Sequence, residues 1–405
     1  MDVKVALLTI GTELTAGLEA DTNSFFISRE LFNHGFAVSK HVSVPDSVDD
    51  IADTLKELIK DFDAVITTGG LGPTEDDVTR IAVTRALGRK TFIDEELLAV
   101  AKKRALSDPE KMASFPEGAK IIRPFKRSVG GFYVSTADKI VMSLPGVPAE
   151  IEDLMHVEVL PVLAKNIGQK ITCRRKLFKI ANNTEVEVEK KIKAIKGSYK
   201  YGLLPKLGEV HLYITVESSS AQEAAKDISL IEELVRKIFS RDLFAVDDES
   251  LEETTVKELV QRKMKISIAE SSTGGLLGNR IASVAGASEV FLGGFITYSD
   301  DLKQKLGVPK DIIEKNGAVS EPVAASMAVE TQKQTKSKLS VSITGIAGPG
   351  GATKDKPVGL HYIGISQESV EPVVKKFVFK GGRDQVRWQA SQMALHLIRE
   401  ALFDD

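Results

Sequence analysis

Residues 267–275 read SIAESSTGG, an apolar run ending in Glu270, Ser271, Ser272, Thr273 and a Gly274-Gly275 pair, with a helix-like stretch after it. Three later segments share that plan: FITYSDDLK (295–303), ITGIAGPGG (343–351) and KGGRDQVRWQA (380–390). Each puts small or polar groups where a strand should end, which is where open α/β sheets gather their ligand-binding loops. Together they supply a serine, a lysine, glycine amides and arginines, a set suited to an anionic substrate. A serine becomes a nucleophile when a base takes its proton and amide hydrogens face the oxyanion that forms. Ser271, followed by Thr273, Gly274 and Gly275 at an expected helix start, has backbone N–H groups nearby for the second task.

The base must come from elsewhere in the chain. The six histidines (His34, His41, His156, His211, His361 and His396) are scattered, and only the last two lie near these segments in sequence. His361 falls in a strand pattern and His396 on a partly buried helix, so both read as structural. Lys303, five residues after Tyr298, is the better base, because a partly desolvated lysine loses proton affinity. The same spacing also fits a solvated helix lysine and a capping serine, and the residues alone leave both readings open. Ser272 reads as packing or a cap. Arg383 and Arg387, four apart on one helix face, can form a bidentate phosphate clamp or an ordinary solvated basic face. The glycines after Thr344, Gly345 and Gly348 among them, allow close backbone approach.

A second constellation lies near the amino terminus. TTGGLGPTEDDVTR (67–80) follows an apolar run and opens a helix. Gly69, Gly70 and Gly72 let the chain turn and expose N–H groups, and a helix amino terminus favours anions. Asp76 and Asp77 make sense beside a phosphate if a divalent cation bridges them to it. They equally fit plain helix caps that complement the dipole.

These segments need elements to carry them, and the chain supplies an α/β multidomain pattern. At 405 residues it is too long for one ordinary core. Residues 1–168 alternate apolar runs with helical periods in the order β-α-β-α-β-α, which predicts a doubly wound sheet. Residues 169–246 predict a small α+β module of β-α-β-β-α order, KH-like in layout but without a GxxG loop to clamp a nucleic-acid backbone. From residue 247 to residue 405 the α/β alternation returns. With 42% apolar and 27% charged residues the composition is that of a globular protein, and a net charge of -3 gives no reason to expect non-specific nucleic-acid binding. The first residues, MDVKVALLTI, match neither a secretory signal nor a membrane span, and a cytoplasmic location is expected. The lone Cys173 excludes an internal disulfide and a thiolate-rich metal site.

AESSTGG, GGFITYSDDLKQKLGV, NGAVSEPVAASMA, ITGIAGPGGATKDKPVG and GGRDQVRWQA resemble, in order, the carboxyl-terminal domain of the CinA family. That domain is a nicotinamide mononucleotide deamidase. The resemblance implies hydrolysis of the nicotinamide amide to nicotinic acid mononucleotide and ammonia, with no cofactor. Its serine, lysine and tyrosine fall on Ser271, Lys303 and Tyr298. The substrate would be held by Glu270, Thr273, Gly274, Gly275, Thr344, Gly345, Gly348, Arg383 and Arg387. Two departures stand out: Ser272 replaces the family's usual cysteine, and Gly382 stands where an acid commonly precedes the arginine.

IGTEL, DTNSFFISREL, TTGGLGPTEDDVTR and LPGVPAE resemble the MoaB/MogA-type molybdopterin-binding fold found at the amino terminus of CinA proteins. There the family is associated with ADP-ribose pyrophosphatase activity. This implies a nucleotide site at Glu13, Asn23, Gly69, Gly70, Gly72, Asp76, Asp77, Pro145 and Gly146. Asp76 and Asp77 would hold a divalent cation (Mg, Mn or Co), with K a further candidate. This chain has RPFKRSVGGF, with Ser128, Val129 and Gly130 where the family has Thr, Ala and Pro, and it has Val147 for a usual proline. If that stretch shapes the nucleotide pocket, those changes predict an amino-terminal head that is weakened or lost. The expected partners are nicotinamide mononucleotide, ADP-ribose and a second copy of the chain, with neither a membrane nor nucleic acid. A different class of reading is a pterin- or nucleotide-binding sensor or carrier with no catalysis at the amino-terminal domain. A competence factor acting on nucleic acid is weaker still, given the acidic balance.

Overall fold

The computed structural model describes residues 3–105, 107–122, 130–135, 139–168, 172–218 and 220–403. By contact the chain divides into two compact units, residues 1–175 with 216–228, and residues 176–215 with 229–405.

The first unit is built on strands β1 (Lys4–Ile10), β2 (Ala37–Val44) and β3 (Ala64–Thr68), a short ribbon of β4 (Thr91–Ile93) and β5 (Ser114–Pro116), and strands β6 (Lys120–Ile122), β7 (Gly131–Ser135) and β8 (Ile140–Leu144). Its six-stranded sheet runs β2-β1-β3-β8-β7-β6. The first four strands are parallel, and β7 and β6 are antiparallel additions. Strand β1 shows why helices cover both faces. Val5 and Leu7 join one core with Ile27 and Leu31, whereas Ala6 and Leu8 join another with Ile51 and Leu55. Such strands read as continuous apolar runs because both sides are covered. The helix Val48–Asp61 starts where the Ser47 hydroxyl accepts the Asp50 N–H, and it buries Ile51, Leu55 and Leu58 along one stripe.

Strands β9 (Thr172–Ile180), β10 (Lys200–Lys206), β11 (Glu209–Ser218) and β12 (Leu243–Val246) make a four-stranded sheet of order β10-β11-β9-β12. The expected β-α-β-β-α module thus gains a strand, β12, which pairs antiparallel with β9. In the second unit, Ala181, Phe244 and Ala245 share one apolar core with Leu251, Val256 and Leu395.

The last sheet contains β13 (Ile266–Glu270), β14 (Phe291–Ile296), β15 (Leu339–Gly345), β16 (Leu360–Gln367) and β17 (Val373–Val378), in the order β14-β13-β15-β16-β17. Strands β14, β13 and β15 are parallel, and β16 and β17 run antiparallel. That direction change puts the ends of β13, β14, β15 and β17, and the start of β16, at one edge of the sheet. On one face Ile266 and Ile268 pack with Leu277, Leu395 and Ile398, and on the other Ala269 packs with Leu306, Val323 and Met327. Each such fully buried aliphatic side chain contributes about 1.5–3 kcal/mol. The helix Glu321–Thr335 lies close to the strands, because the Ser340 and Ser342 hydroxyls donate to the carbonyls of Ala328 and Ala324, both at 2.6 Å.

Gly69 shows how tightly the amino-terminal loop is fitted. It has φ +107, and a Cβ there would lie 2.2 Å from the Ile10 carbonyl oxygen. Gly69→Ala should therefore destabilise the protein by roughly 2–4 kcal/mol, from backbone strain added to a clash with main chain. Chemical denaturation against wild type measures it, and a loss below 0.5 kcal/mol (about the scatter of neutral surface changes) would contradict the fit.

Candidate functional site

Strand β13 delivers Glu270 into the interior and then turns. The Glu270 carboxylate, 1% exposed, accepts the N–H groups of Gly275 (3.0 Å), Leu277 (3.1 Å) and Gly278 (2.8 Å) at the start of the helix Leu276–Ala282. A buried carboxylate is tolerated when several N–H donors satisfy it, and these are donors a helix start otherwise leaves unpaired. The expectation that Glu270 binds substrate is thereby corrected, since its carboxylate is spent on the turn. The expected oxyanion donors move as well. The Gly274 N–H bonds to the Ser271 carbonyl at 3.1 Å, and the Ser271 N–H to Ile343 at 2.9 Å. Among the described residues, the N–H groups left without a partner in this turn are those of Ser272 and Thr273.

Ser271 is 8% exposed, and its Oγ lies 3.2 Å from Lys303 Nζ. Lys303 comes from the helix Asp300–Leu306, which begins just beyond β14 and is capped by the Ser299 hydroxyl. Only 1% exposed, the amine also donates to the carbonyls of Thr297 (2.9 Å) and Tyr298 (3.4 Å). Burial pushes its pKa below the ordinary 10.5, opposed by Asp300 with a carboxylate oxygen 3.8 Å away. A neutral amine has two N–H donors, which the two carbonyls accept, and one lone pair, which is then left for the Ser271 hydroxyl proton. The pair has the geometry of an activated nucleophile and its base.

The other candidates surround this pair in different ways. Tyr298 is 61% exposed, and its phenol oxygen accepts from Arg383 Nη2 at 3.2 Å. Arg383 also donates to the Gly348 carbonyl at 2.7 Å, and Arg387 donates to the Thr273 carbonyl at 2.8 Å. The two arginines thus pin the serine turn and the glycine loop, and Arg383 keeps an exposed cationic face. The hydroxyl of Thr344 is buried and donates to Ala318 at 2.8 Å, so it fixes the loop rather than facing solvent. Gly345 sits opposite His361 in the β15–β16 register, and a Cβ on it would lie 2.2 Å from the imidazole.

Sequence reasoning missed a contact of His361. The buried ring has Nδ1 3.0 Å from the Gly359 carbonyl and Nε2 3.0 Å from Ser272 Oγ. A carbonyl only accepts, so Nδ1 carries the proton and Nε2 accepts the Ser272 hydroxyl. Burial lowers the histidine pKa and keeps the ring neutral. His396, as expected, is buried away from this turn, edge-on to Phe244, with its pKa pushed down to about 3 by burial and then by Arg399 and Arg280.

In the amino-terminal unit, the ends of β1, β3 and β8 form a second cluster. Asn23 donates to the Gly146 carbonyl at 2.7 Å, the Thr68 hydroxyl donates to Pro145 at 2.8 Å, and Gly146 lies against Gly69. Thr79 closes the Gly70 turn by donating to the Gly69 carbonyl at 2.8 Å. Asp77 accepts the Thr74 N–H at 2.8 Å and its hydroxyl at 2.5 Å, whereas Asp76 and Glu13 are exposed. The sequence did not single out Arg80. Its buried guanidinium donates to the Leu71 carbonyl at 2.7 Å, and burial lowers its pKa to about 10, opposed by Asp77. Ser128 and Val129 lie outside the described residues. Among the described residues no group of three or more His, Cys, Asp or Glu is placed to hold a metal, and no helix is long and apolar enough to cross a membrane.

Residues 248–402 match the family described as the CinA C-terminal domain, and residues 6–165 match the probable molybdopterin binding domain. The chain is 34% identical to a CinA-like protein of Desulfotalea psychrophila over 100% of both chains. It is 36% identical to a CinA-like protein of Kosmotoga olearia over 99% of both. The chain belongs to the CinA family. Among solved structures, the protein CinA from Thermoplasma acidophilum is 31% identical across 41% of this chain and 99% of its own, at a TM-score of 0.37. The α/β architecture expected from the motifs, with a MoaB/MogA-like amino-terminal domain, agrees with these family matches.

Glu270 gives a direct check on the turn. Glu270→Gln puts an amide NH2 against N–H donors, so at least one is left unpaired. It should cost about 2 kcal/mol of stability and slow any chemistry at Ser271. Urea denaturation and a turnover assay measure the two effects, and an unchanged stability would show that the carboxylate does not hold the turn.

Proposed function

We propose that this member of the CinA family hydrolyses the amide of nicotinamide mononucleotide to nicotinic acid mononucleotide and ammonia. The observation that carries the proposal is the Ser271–Lys303 pair at 3.2 Å, with the lysine amine buried and its pKa lowered. In the first step Ser271 Oγ attacks the amide carbon while Lys303 Nζ takes the hydroxyl proton. The oxyanion is met by the N–H groups of Ser272 and Thr273, which have no other partner among the described residues. Collapse expels ammonia, with the Lys303 proton delivered to the leaving nitrogen, and leaves an ester on Ser271. Water attacks the ester, Lys303 takes its proton and returns it to Ser271 Oγ, and the carboxylate product leaves. Arg383, exposed beside the glycine loop, offers the cation for the substrate phosphate.

At the amino-terminal unit the proposal is a weak ADP-ribose pyrophosphatase. Adjacent carboxylates on a glycine loop are a donor set that Mg2+ accepts together with substrate phosphates. Asp76 and the free oxygen of Asp77 would hold such an ion, which would compensate pyrophosphate charge. Thr74 and Arg80 hold Asp77 and the loop in place. The second reading, a nucleotide-binding carrier without catalysis here, is favoured by the engagement of Asp77 with Thr74.

Ser271→Ala should lower ammonia release by at least 10^3-fold, the usual scale for a nucleophile, in a protein that still unfolds cooperatively. Lys303→Arg keeps the charge but has no accessible neutral form, so it should be nearly as inactive as Lys303→Ala. In wild type only the unprotonated amine is competent, so the rate should fall as pH drops through the lowered lysine pKa, with a midpoint below 10.5. Ammonia assays across pH decide this, and a fully active arginine variant would require another base.

The two heads should also separate by metal. Deamidation should persist in EDTA, because each proton and bond passes through Ser271 and Lys303. ADP-ribose cleavage should be slow, should need added divalent ions, and should be lost in Asp76→Asn and Asp77→Asn. Vigorous ADP-ribose hydrolysis in EDTA would contradict the assignment of Asp76 and Asp77.

A further inference from the structure

The serine next to the nucleophile has a base of its own. Ser272, 6% exposed, donates its hydroxyl to Nε2 of His361, which is fully buried on β16. The other ring nitrogen donates to the Gly359 carbonyl. The ring also lies flat against Gly345, leaving no room there for a side chain. Three segments of the sheet edge therefore meet at one imidazole: the serine turn, the end of β15 and the start of β16. The Gly359–Leu360 segment is further tied to the glycine loop, because the Ile346 N–H bonds to the Leu360 carbonyl and the Gly359 N–H to the Ile346 carbonyl, both at 2.8 Å.

We propose that His361 and Ser272 form a positioning pair that sets the serine turn against the glycine loop, so that the N–H groups of Ser272 and Thr273 face the oxyanion. The pair resembles a serine–histidine dyad in its distances, but the ring is sealed beneath the loop. Its hydroxyl is aimed at the protein interior, away from the Lys303 side on which Ser271 reacts. A hydrogen bond from the Ser272 side chain to a buried ring tethers its Cα, and so limits how far the adjoining peptide groups can shift. Oxyanion donors misplaced by a few tenths of an ångström weaken transition-state binding more than substrate binding. The effect should therefore fall on kcat and leave KM nearly unchanged.

The proposal rests on the deamidase reading, and its test separates the two. Ser272→Ala, His361→Phe, His361→Gln and the double variant Ser272→Ala/His361→Phe are compared in the full chain. kcat and KM are measured for nicotinamide mononucleotide, together with the rate at which a fluorophosphonate probe labels Ser271, located by peptide mass spectrometry. Ser272→Ala and His361→Phe should each lower kcat and the labelling rate about 10- to 100-fold, with KM within three-fold. The double variant should be no worse than the poorer single one, because both remove the same bond. The glutamine side chain can offer an amide oxygen where Nε2 sits, and it should recover part of the rate. Ser272→Ala leaves a small residue in a small space, so it stays informative if the His361 variants fail to fold. Unchanged kcat and labelling in Ser272→Ala would overturn the proposal. So would losses that multiply in the double variant, or a change confined to KM. If wild type releases no ammonia from nicotinamide mononucleotide, the substrate reading falls while the labelling rates still decide the pair.

Discussion

The carboxyl-terminal site depends on keeping Glu270 charged in the interior. Its carboxylate replaces lost water with three backbone N–H groups, and doing so forces the chain to turn sharply at Ser271–Gly275. Ser271 is then held at the end of β13 within reach of a lysine that enters from beyond the neighbouring strand. Among the described residues of this turn, the Ser272 and Thr273 N–H groups are left without a partner. One desolvated anion thus sets the positions of the nucleophile, the free N–H groups and the start of a helix. The burial of Lys303 complements it, since removal from water favours the neutral amine, opposed by Asp300.

The two arginines show how such a site can be rigid and still carry charge. Arg383 and Arg387 each use part of the guanidinium fork on carbonyl oxygens of the loops, at Gly348 and Thr273. Further donors reach the Tyr298 phenol oxygen from Arg383 and the Asp384 carboxylate from Arg387. Because the fork is planar and cannot lose its proton, it serves as strut and cation together, which a lysine could not do.

Much of this was legible in the sequence, and the parts that were not share a cause. Four strand-end segments predicted one edge, and Ser271, Lys303, Gly348, Arg383 and Arg387 do meet there. The alternating apolar runs predicted the two-faced sheets, because a strand covered on both sides must be apolar throughout. The partner of Glu270 was hidden: a carboxylate before a serine-rich turn looks the same whether it faces a ligand or the helix behind it. His361 was hidden by register. Its strand pattern marked it as structural, but only the antiparallel pairing of β15 with β16 puts it opposite Gly345, where it meets Ser272. Tyr298 takes part through two different groups that a sequence cannot separate, its backbone carbonyl meeting Lys303 and its phenol oxygen meeting Arg383.

The Ser272–His361 contact has a chemical side as well. The resemblance read from the sequence places a cysteine at this turn, and a thiol beside an imidazole is the kind of group that peroxide converts to sulfenic acid and then, irreversibly, to sulfinic acid. An alcohol in the same place has no such ladder to climb. The one cysteine of this chain, Cys173, is buried and far along the sequence from the turn. The chain therefore carries no sulfur nucleophile at the nucleophile turn, and thiol oxidants have no target among its proposed catalytic groups.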